Sequence, residues 1–136
     1  MKNIEFTCII DDDPIFAYGI QKLMEHENFC SKFLAYGDGK EAIDGLQDLF
    51  NDSEEAPDLV LLDLNMPIMD GWQFLDEVVK INPPNEINIF IVSSSIDPAD
   101  HEKAMSYDVV NGFIVKPITV KDLNKIMDQK KDHLNI

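Results

Sequence analysis

The chain has 136 residues, of which 45% are hydrophobic and 27% are charged, and its formal net charge is −15. This length and composition predict one globular domain that buries its core without disulfide bonds. Arginine is absent, so neither nucleic acid nor an anionic membrane is an expected partner. The acidity instead favours a bound cation and a basic protein partner.

The sequence predicts a cytoplasmic location. The N-terminus becomes acidic at Glu5, unlike a signal peptide, and no apolar run approaches the roughly 18 residues of a spanning helix. Cys8 and Cys30 lie in or beside strand-like stretches, so they are predicted to be buried free thiols.

Strand-like and helix-like segments alternate along the chain. Strands are predicted over residues 4–10, 30–36, 58–62, 87–92 and 112–115. Helices are predicted to begin after the capping residues Asp13 and Asp38, at Asp70-Gly71 and Asp97-Pro98, and at a stretch from Thr119 to Asp122 that resembles a capping box. A polar loop is predicted from Asn51 to Pro57, and a frayed tail from residue 130 onward. The alternation predicts a parallel sheet covered by helices on both faces.

Four of the predicted strands end on side chains that suit phosphoryl chemistry. The endings are Asp11-Asp12-Asp13, Asp63, Ser93-Ser94-Ser95 and Lys116-Pro117. Because the carboxyl ends of parallel strands share one edge of the sheet, these side chains are expected to converge there.

Three carboxylates at one edge predict a cation. Two like charges 4 Å apart repel by about 4 kcal/mol at an effective dielectric near 20, and Mg²⁺ (or Mn²⁺) prefers hard oxygen ligands. Asp63 stands alone at the end of a central strand and is the predicted phosphoryl acceptor. Asp12 is the predicted direct metal ligand and Asp11 an indirect one, while Lys116 and Ser93 would contact phosphoryl oxygens.

The whole chain resembles the receiver domains of two-component response regulators, in particular the stand-alone chemotaxis-regulator type. The segments that carry the resemblance are Ile9-Ile10-Asp11-Asp12, the stretch from Asp63 to Gly71, Ser93 and Lys116-Pro117. The resemblance implies a flavodoxin-like, doubly wound, five-stranded parallel α/β sheet with five helices. The strand order 2-1-3-4-5 is that of the family. A single receiver domain is expected over residues 1–136, with its core at about residues 4–130.

The resemblance also implies a function. Asp63 would accept a phosphoryl group from the phosphohistidine of a sensor histidine kinase or histidine phosphotransfer protein. Mg²⁺ would be held by Asp12, Asp63 and the backbone carbonyl of Asn65, with Asp11 acting indirectly. The domain would be a regulatory phosphoacceptor, and not an enzyme beyond its own phosphorylation and dephosphorylation.

Ser93 and Lys116 are implied to couple the phosphoryl group to the surface of helix 4, strand 5 and helix 5, which controls a downstream protein. The peptide bond before Pro117 is implied to be cis. Two switch positions depart from the commonest family pattern, because Ser93 replaces a frequent threonine and Phe113 replaces a frequent tyrosine. Phe113 has no hydroxyl, so it cannot form the hydrogen bond of a tyrosine switch.

Two other functions remain open at this point. A phosphatase of the haloacid dehalogenase type would also use a nucleophilic aspartate and Mg²⁺, but it needs a second aspartate two residues later, where this chain has Asn65. A receiver-like module that binds proteins without phosphorylation would be indicated by loss of an acid, Ser93 or Lys116. This chain retains all of them.

Overall fold

The computed structural model describes residues 4–53, 56–81 and 87–134. Within these ranges, five strands alternate with five helices. The strands are β1 (Phe6–Ile10), β2 (Lys32–Tyr36), β3 (Leu59–Leu62), β4 (Asn88–Ser93) and β5 (Val110–Val115). The helices are α1 (Pro14–His26), α2 (Gly39–Ser53), α3 (Gly71–Val78), α4 (Pro98–Met105) and α5 (Val120–Leu134).

All described strands are parallel and lie in the order β2-β1-β3-β4-β5. The central strands β1 and β3 are buried along their whole length, whereas β2 and β5 are partly exposed at the two edges. This gradient follows from the sequence, because a strand covered on both faces needs a continuous apolar run. The predicted fold class and strand order are confirmed.

Two apolar layers pack on opposite faces of the sheet. One layer joins alternate strand residues to α2, α3 and α4, and Leu46, Phe74 and Leu75 are fully buried in it. The other layer joins the remaining strand residues to α1 and α5, where Met24 and Leu123 are buried. The helices are thereby fixed on both faces, and their N-termini lie at the carboxyl edge of the sheet.

The helices begin at the predicted residues, and the structure shows how those residues cap them. Asp13 accepts hydrogen bonds from two backbone N–H groups of α1, and Asp70 forms a reciprocal capping box with Gln73. The Thr119 hydroxyl accepts from the backbone N–H of Asp122, whose carboxylate accepts from the Thr119 N–H at 2.9 Å. These caps satisfy backbone donors that a helix leaves unpaired.

Several predicted boundaries were wrong. Helix α2 continues through Ser53, so the loop predicted from Asn51 begins later, and residues 54–55 lie outside the described part. Helix α5 continues to Leu134, so the frayed tail predicted from residue 130 is helical up to that point, and residues 135–136 lie outside. In both segments the helix continues beyond its predicted apolar stripe into mostly polar sequence.

Strand β5 begins at Val110, two residues earlier than predicted. Asn111 is polar, but its side-chain amide donates to the side-chain Oδ1 of Asn88 on β4 at 2.6 Å. This bond allows a polar residue to lie in the strand.

Cys8 and Cys30 are buried free thiols, as predicted. The Thr7 hydroxyl donates to the Cys30 sulfur at 3.2 Å. None of the helices in the described ranges is long and apolar enough to cross a membrane.

Candidate functional site

The ends of β1 and β3 place two aspartates side by side. The backbone N–H of Asp63 donates to the Ile10 carbonyl at 2.9 Å, and that of Asp11 donates to the Tyr36 carbonyl at 3.0 Å. The ladder of the sheet therefore continues one residue beyond the strands. Because the backbone is fixed by these bonds, the positions of the two carboxylates follow from the register of the strands.

Asp11, Asp12 and Asp63 form a carboxylate cluster in which one oxygen from each residue lies within 4.8 Å of the other two. Asp11 and Asp63 are each 6% exposed, whereas Asp12 is open to solvent. Asp11 Oδ1 accepts from the Asp13 N–H at 2.9 Å, and Asp63 Oδ1 accepts from the Asn65 N–H at 3.4 Å. The sequence prediction that these three acids converge is thus met by the geometry.

Lys116 supplies the positive charge that faces this cluster. Its Nζ lies 2.9 Å from Asp11 Oδ2 and 3.6 Å from Asp63 Oδ2. The same Nζ lies 4.2 Å from the centre of the Phe16 ring, a distance at which the ring attracts a cation. Lys116 therefore pairs with Asp11 in this structure and lies within ion-pair distance of the predicted acceptor.

The electrostatics of the site oppose ionisation of Asp63. Burial, and then the negative charge of Asp11, raise the pKa of Asp63, although Lys116 and two backbone N–H groups act in the opposite direction. Burial lowers the pKa of Lys116, but the bond to Asp11 and the charges of both acids outweigh it, so the net pKa is raised. A cation between the carboxylates would relieve the repulsion.

The donor set fits a small divalent ion. Ligands of one Mg²⁺ lie within about 4.2 Å of each other, so oxygens within 4.8 Å need to move by less than about 1 Å. Both oxygens of Asp11 already have partners, which suits an indirect role, while Asp12 is exposed. Asn65 contacts the site through its backbone N–H, which donates to Asp63 Oδ1.

Ser93 and Lys116 come together through the last bond between β4 and β5. The Lys116 N–H donates to the Ser93 carbonyl at 2.8 Å, and the peptide bond between Lys116 and Pro117 is cis, as the resemblance implied. Ser93 is fully buried, and its Oγ accepts from the Ser95 N–H at 3.1 Å. Its hydroxyl proton is thus left to donate elsewhere.

The backbone after Asp63 is unusually close-packed. A Cβ at Gly71 would lie 2.5 Å from the Asp63 carbonyl oxygen, so only glycine lets α3 begin so near the acceptor. Ile68 in the intervening loop has φ of 68° although it is β-branched, a conformation that is strained for such a residue. The Met69 N–H donates to the Pro67 carbonyl at 2.7 Å, so the residues on either side of Ile68 are joined by a hydrogen bond.

Sequence reasoning missed several of these contacts. It did not find Phe16 beside Lys116, the close approach of Gly71, or the contact of His101 with Phe113, whose ring centres are 5.2 Å apart. The Asp-Gly pair before α3 was a usable signal for Gly71. The other contacts join distant segments and leave no local pattern.

Residues 7–128 match the family described as the response regulator receiver domain. The chain belongs to this family. Receiver domains are regulatory phosphoacceptors of two-component signalling, they bind Mg²⁺ in an acidic pocket, and they interact with histidine kinases. The predicted family is therefore confirmed.

Individual relatives agree with this assignment. The probable methanogenesis regulatory protein FilR2 of Methanothrix harundinacea is 26% identical over 125 residues, which cover 92% of this receiver domain and 80% of FilR2. A two-component response regulator from Cytophaga hutchinsonii is 28% identical, with a TM-score of 0.86 over 94% of this chain and 97% of that one. The chain spans only 54% and 56% of curated response regulators from rice and Escherichia coli.

A third relative shares the fold at 17% identity. It is the receiver domain of the sensor histidine kinase PA1611 from Pseudomonas aeruginosa, described with a magnesium ion coordinated in its active site cleft. The TM-score is 0.74, and the match covers 94% of this chain and 97% of that one.

Proposed function

We propose that this receiver domain is a phosphorylation switch in which Asp63 accepts a phosphoryl group from a phosphohistidine. The donor would be a sensor histidine kinase or a histidine phosphotransfer protein. The observation that carries the proposal is the buried Asp63 carboxylate, which has Asp11 and Asp12 within 4.8 Å and Lys116 Nζ at 3.6 Å. The cytoplasmic location expected from the sequence stays a prediction.

Asp63 would act as the nucleophile. One of its carboxylate oxygens forms a bond to phosphorus while the phosphorus–nitrogen bond of the phosphohistidine breaks, and the imidazole nitrogen leaves with that electron pair. A carboxylate has no proton to lose, so no general base is needed, and catalysis depends on positioning and charge neutralisation.

Lys116 would neutralise charge that develops on the phosphoryl oxygens, since its ammonium already lies between Asp11 and Asp63. Ser93 would donate its hydroxyl proton to one of these oxygens. Asp12, Asp63 and the Asn65 carbonyl would hold Mg²⁺, with Asp11 behind them, which the carboxylate cluster of Asp11, Asp12 and Asp63 supports. When bound, the ion would neutralise the carboxylates and the incoming phosphoryl oxygens.

The output of the switch would be a changed surface on α4, β5 and α5 that controls a downstream protein. The site borders this surface, because Ser93 ends β4 and Lys116 directly follows β5. The domain would be regulatory and not an enzyme toward other substrates.

The test is incubation with acetyl phosphate and Mg²⁺, followed by intact mass measurement. We expect one added phosphoryl group on the native chain and none on Asp63→Asn. Asp13→Asn is the matched control, because Asp13 lies near the cluster but caps α1, and asparagine caps helices equally well. It should be phosphorylated like the native chain.

Two outcomes would overturn the proposal. Sustained hydrolysis of an added phosphate ester, lost in Asp63→Asn, would indicate a phosphatase. An unchanged mass with acetyl phosphate, and also with a phosphorylated histidine phosphotransfer protein, would indicate a binding module that does not use phosphate.

A further inference from the structure

Ser93 is connected to the start of α4 by a short series of hydrogen bonds. The Ser95 N–H donates to Ser93 Oγ at 3.1 Å, and the Ser95 hydroxyl donates to Asp100 Oδ2 at 2.7 Å. Ser95 Oγ also accepts from the N–H of Asp97, the N-cap of α4, at 3.2 Å. Ser93, Ser95 and Asp100 are called the serine relay below. Ser95 and Asp100 are half-buried.

The next residue of α4 contacts the aromatic switch position. The His101 ring lies 5.2 Å from that of Phe113, centre to centre, with 36° between their planes. Phe113 is half-buried on β5 and packs against the same apolar layer as α4. A movement of the first turn of α4 would therefore change the surroundings of Phe113 directly.

We propose that the serine relay and the ring contact of His101 with Phe113 together couple the occupancy of Asp63 to the α4–β5 surface. This inference rests on the proposed function and assigns Ser95, Asp100 and His101 as positioning residues. It explains how a receiver domain with phenylalanine at the switch position transmits its signal without a tyrosine hydroxyl.

The coupling would begin with a movement of the Ser93 hydroxyl. When its hydroxyl turns toward a phosphoryl oxygen on Asp63, its Oγ moves relative to the Ser95 N–H. Ser95 then follows it or loses that bond. Because the Ser95 side chain is bonded to both Asp97 and Asp100, the first turn of α4 is displaced with it. His101 moves with this turn, and the packing of Phe113 changes.

The experiment compares phosphorylation chemistry with the conformational response. Intact mass after acetyl phosphate treatment reports the chemistry. Amide NMR spectra of residues 99–105 and 110–115, with saturating beryllofluoride and Mg²⁺, report the response. We expect Ser95→Ala and His101→Ala to be phosphorylated like the native chain but to lower the ratio of switched to unswitched conformers at least about fivefold.

Three further variants separate coupling from general damage. Ser95→Thr keeps the hydroxyl and His101→Phe keeps a ring, so both variants should respond like the native chain, unlike the alanine variants. Ser106→Ala removes a hydroxyl that donates to the Lys103 carbonyl at the other end of α4, and it should respond normally. The Ser95→Ala/His101→Ala double variant should lose no more than the stronger single variant, because both act on one route.

The outcomes distinguish this inference from the proposed function. A native response in both alanine variants, or additive losses in the double variant, would overturn the inference while phosphorylation of Asp63 stands. Loss of phosphorylation in Ser95→Ala would also overturn it, because Ser95 would then act on the chemistry. Failure of the native chain to take up a phosphoryl group would overturn both the proposed function and this inference.

Discussion

Asp58 and Asp63 lie in different electrostatic surroundings at the two ends of the strands, which are called the amino edge and the carboxyl edge of the sheet. At the amino edge, Asp58 Oδ2 accepts from the backbone N–H groups of Glu5 and Phe6, each at 3.0 Å. At the carboxyl edge, Asp11 and Asp63 are buried beside each other, and the pKa of Asp63 is raised, first by burial and then by Asp11. At the amino edge, Asp58 satisfies backbone donors. At the carboxyl edge, Asp63 is held near the negative charge of Asp11, and a bound cation would reduce that repulsion.

Asp58 and Asp63 thus show two different uses of an acid at the ends of the strands. An acid that improves the fold is bonded to backbone donors. An acid that is kept for chemistry is buried near like charge, which costs stability until its ligand arrives.

The largest expected effect is that of Lys116→Ala, which removes the cation between Asp11 and Asp63. The Asp11 side chain is 3% exposed and that of Lys116 is 20% exposed, so a nearly buried carboxylate would lose its partner. We expect a loss of about 3 kcal/mol in the free energy of unfolding, measured with urea in metal-free buffer. Lys40→Ala is the control, because its pair with Asp44 is exposed and should cost less than about 1 kcal/mol. Equal losses in the two variants would refute the pairing.

The next largest change in stability is expected for substitution of Asp58 at the amino edge. Asp58→Ala leaves the N–H groups of Glu5 and Phe6 without their acceptor, and we expect a loss of about 2 kcal/mol in the free energy of unfolding. Asp58→Asn keeps an acceptor oxygen and should cost less. Mg²⁺ binding, measured by calorimetry, should be unchanged in both variants. A clear loss of Mg²⁺ affinity would show that the two edges are not independent.

The sequence pattern was sufficient for the parallel α/β class because strand ends coincide with abrupt changes from apolar to polar residues, whereas the strand order came from the family resemblance. Leu62 to Asp63 and Val115 to Lys116 are two such changes, and parallel pairing then brings the polar residues to one edge. The extents of α2 and α5 were missed because the sequence after each apolar stripe is mostly polar, and a polar stretch carries no helical periodicity of apolar residues.

Pairing between distant side chains could not be predicted in the same way. The sequence indicates that Lys116 reaches the acids, but not that it lies closer to Asp11 than to Asp63 or over the Phe16 ring. The contact of His101 with Phe113 depends on how α4 sits against β5. Such distances follow from packing in three dimensions, which one sequence does not encode in a local pattern.

The stability difference between Asp63→Asn and the native chain should depend on pH. The raised pKa of Asp63 means that the folded chain keeps this proton to higher pH than the unfolded chain. The destabilisation is therefore absent below the unfolded pKa and is fully present above the folded pKa. Asp63→Asn should unfold at a higher temperature than the native chain at neutral pH without Mg²⁺, and this gain should disappear on acidification.

Thermal unfolding followed from pH about 3 to pH about 7 measures this effect. Asp13→Asn serves as the control, since its carboxylate caps α1 at the surface, and it should show no comparable gain. A destabilised Asp63→Asn at neutral pH would contradict the description of the carboxyl edge.

The smallest expected effect concerns the loop after Asp63. Ile68 is 80% exposed and has φ of 68°, so Ile68→Gly removes strain and little packing. The relief exceeds the extra entropy of glycine in the unfolded chain, and we expect a gain of about 0.5 kcal/mol in the free energy of unfolding. Denaturation with urea measures it, and a loss of stability would show that the Ile68 side chain is needed.

The central claim is that the acids of the carboxyl edge form a cation site that serves phosphoryl transfer to Asp63. Calorimetric titration of the metal-free chain with Mg²⁺ tests it most directly. We expect one ion to bind per chain, with affinity reduced more than about tenfold in Asp12→Asn and unchanged in Asp13→Asn. Equal affinity in Asp12→Asn and the native chain, or no binding to the native chain, would contradict it.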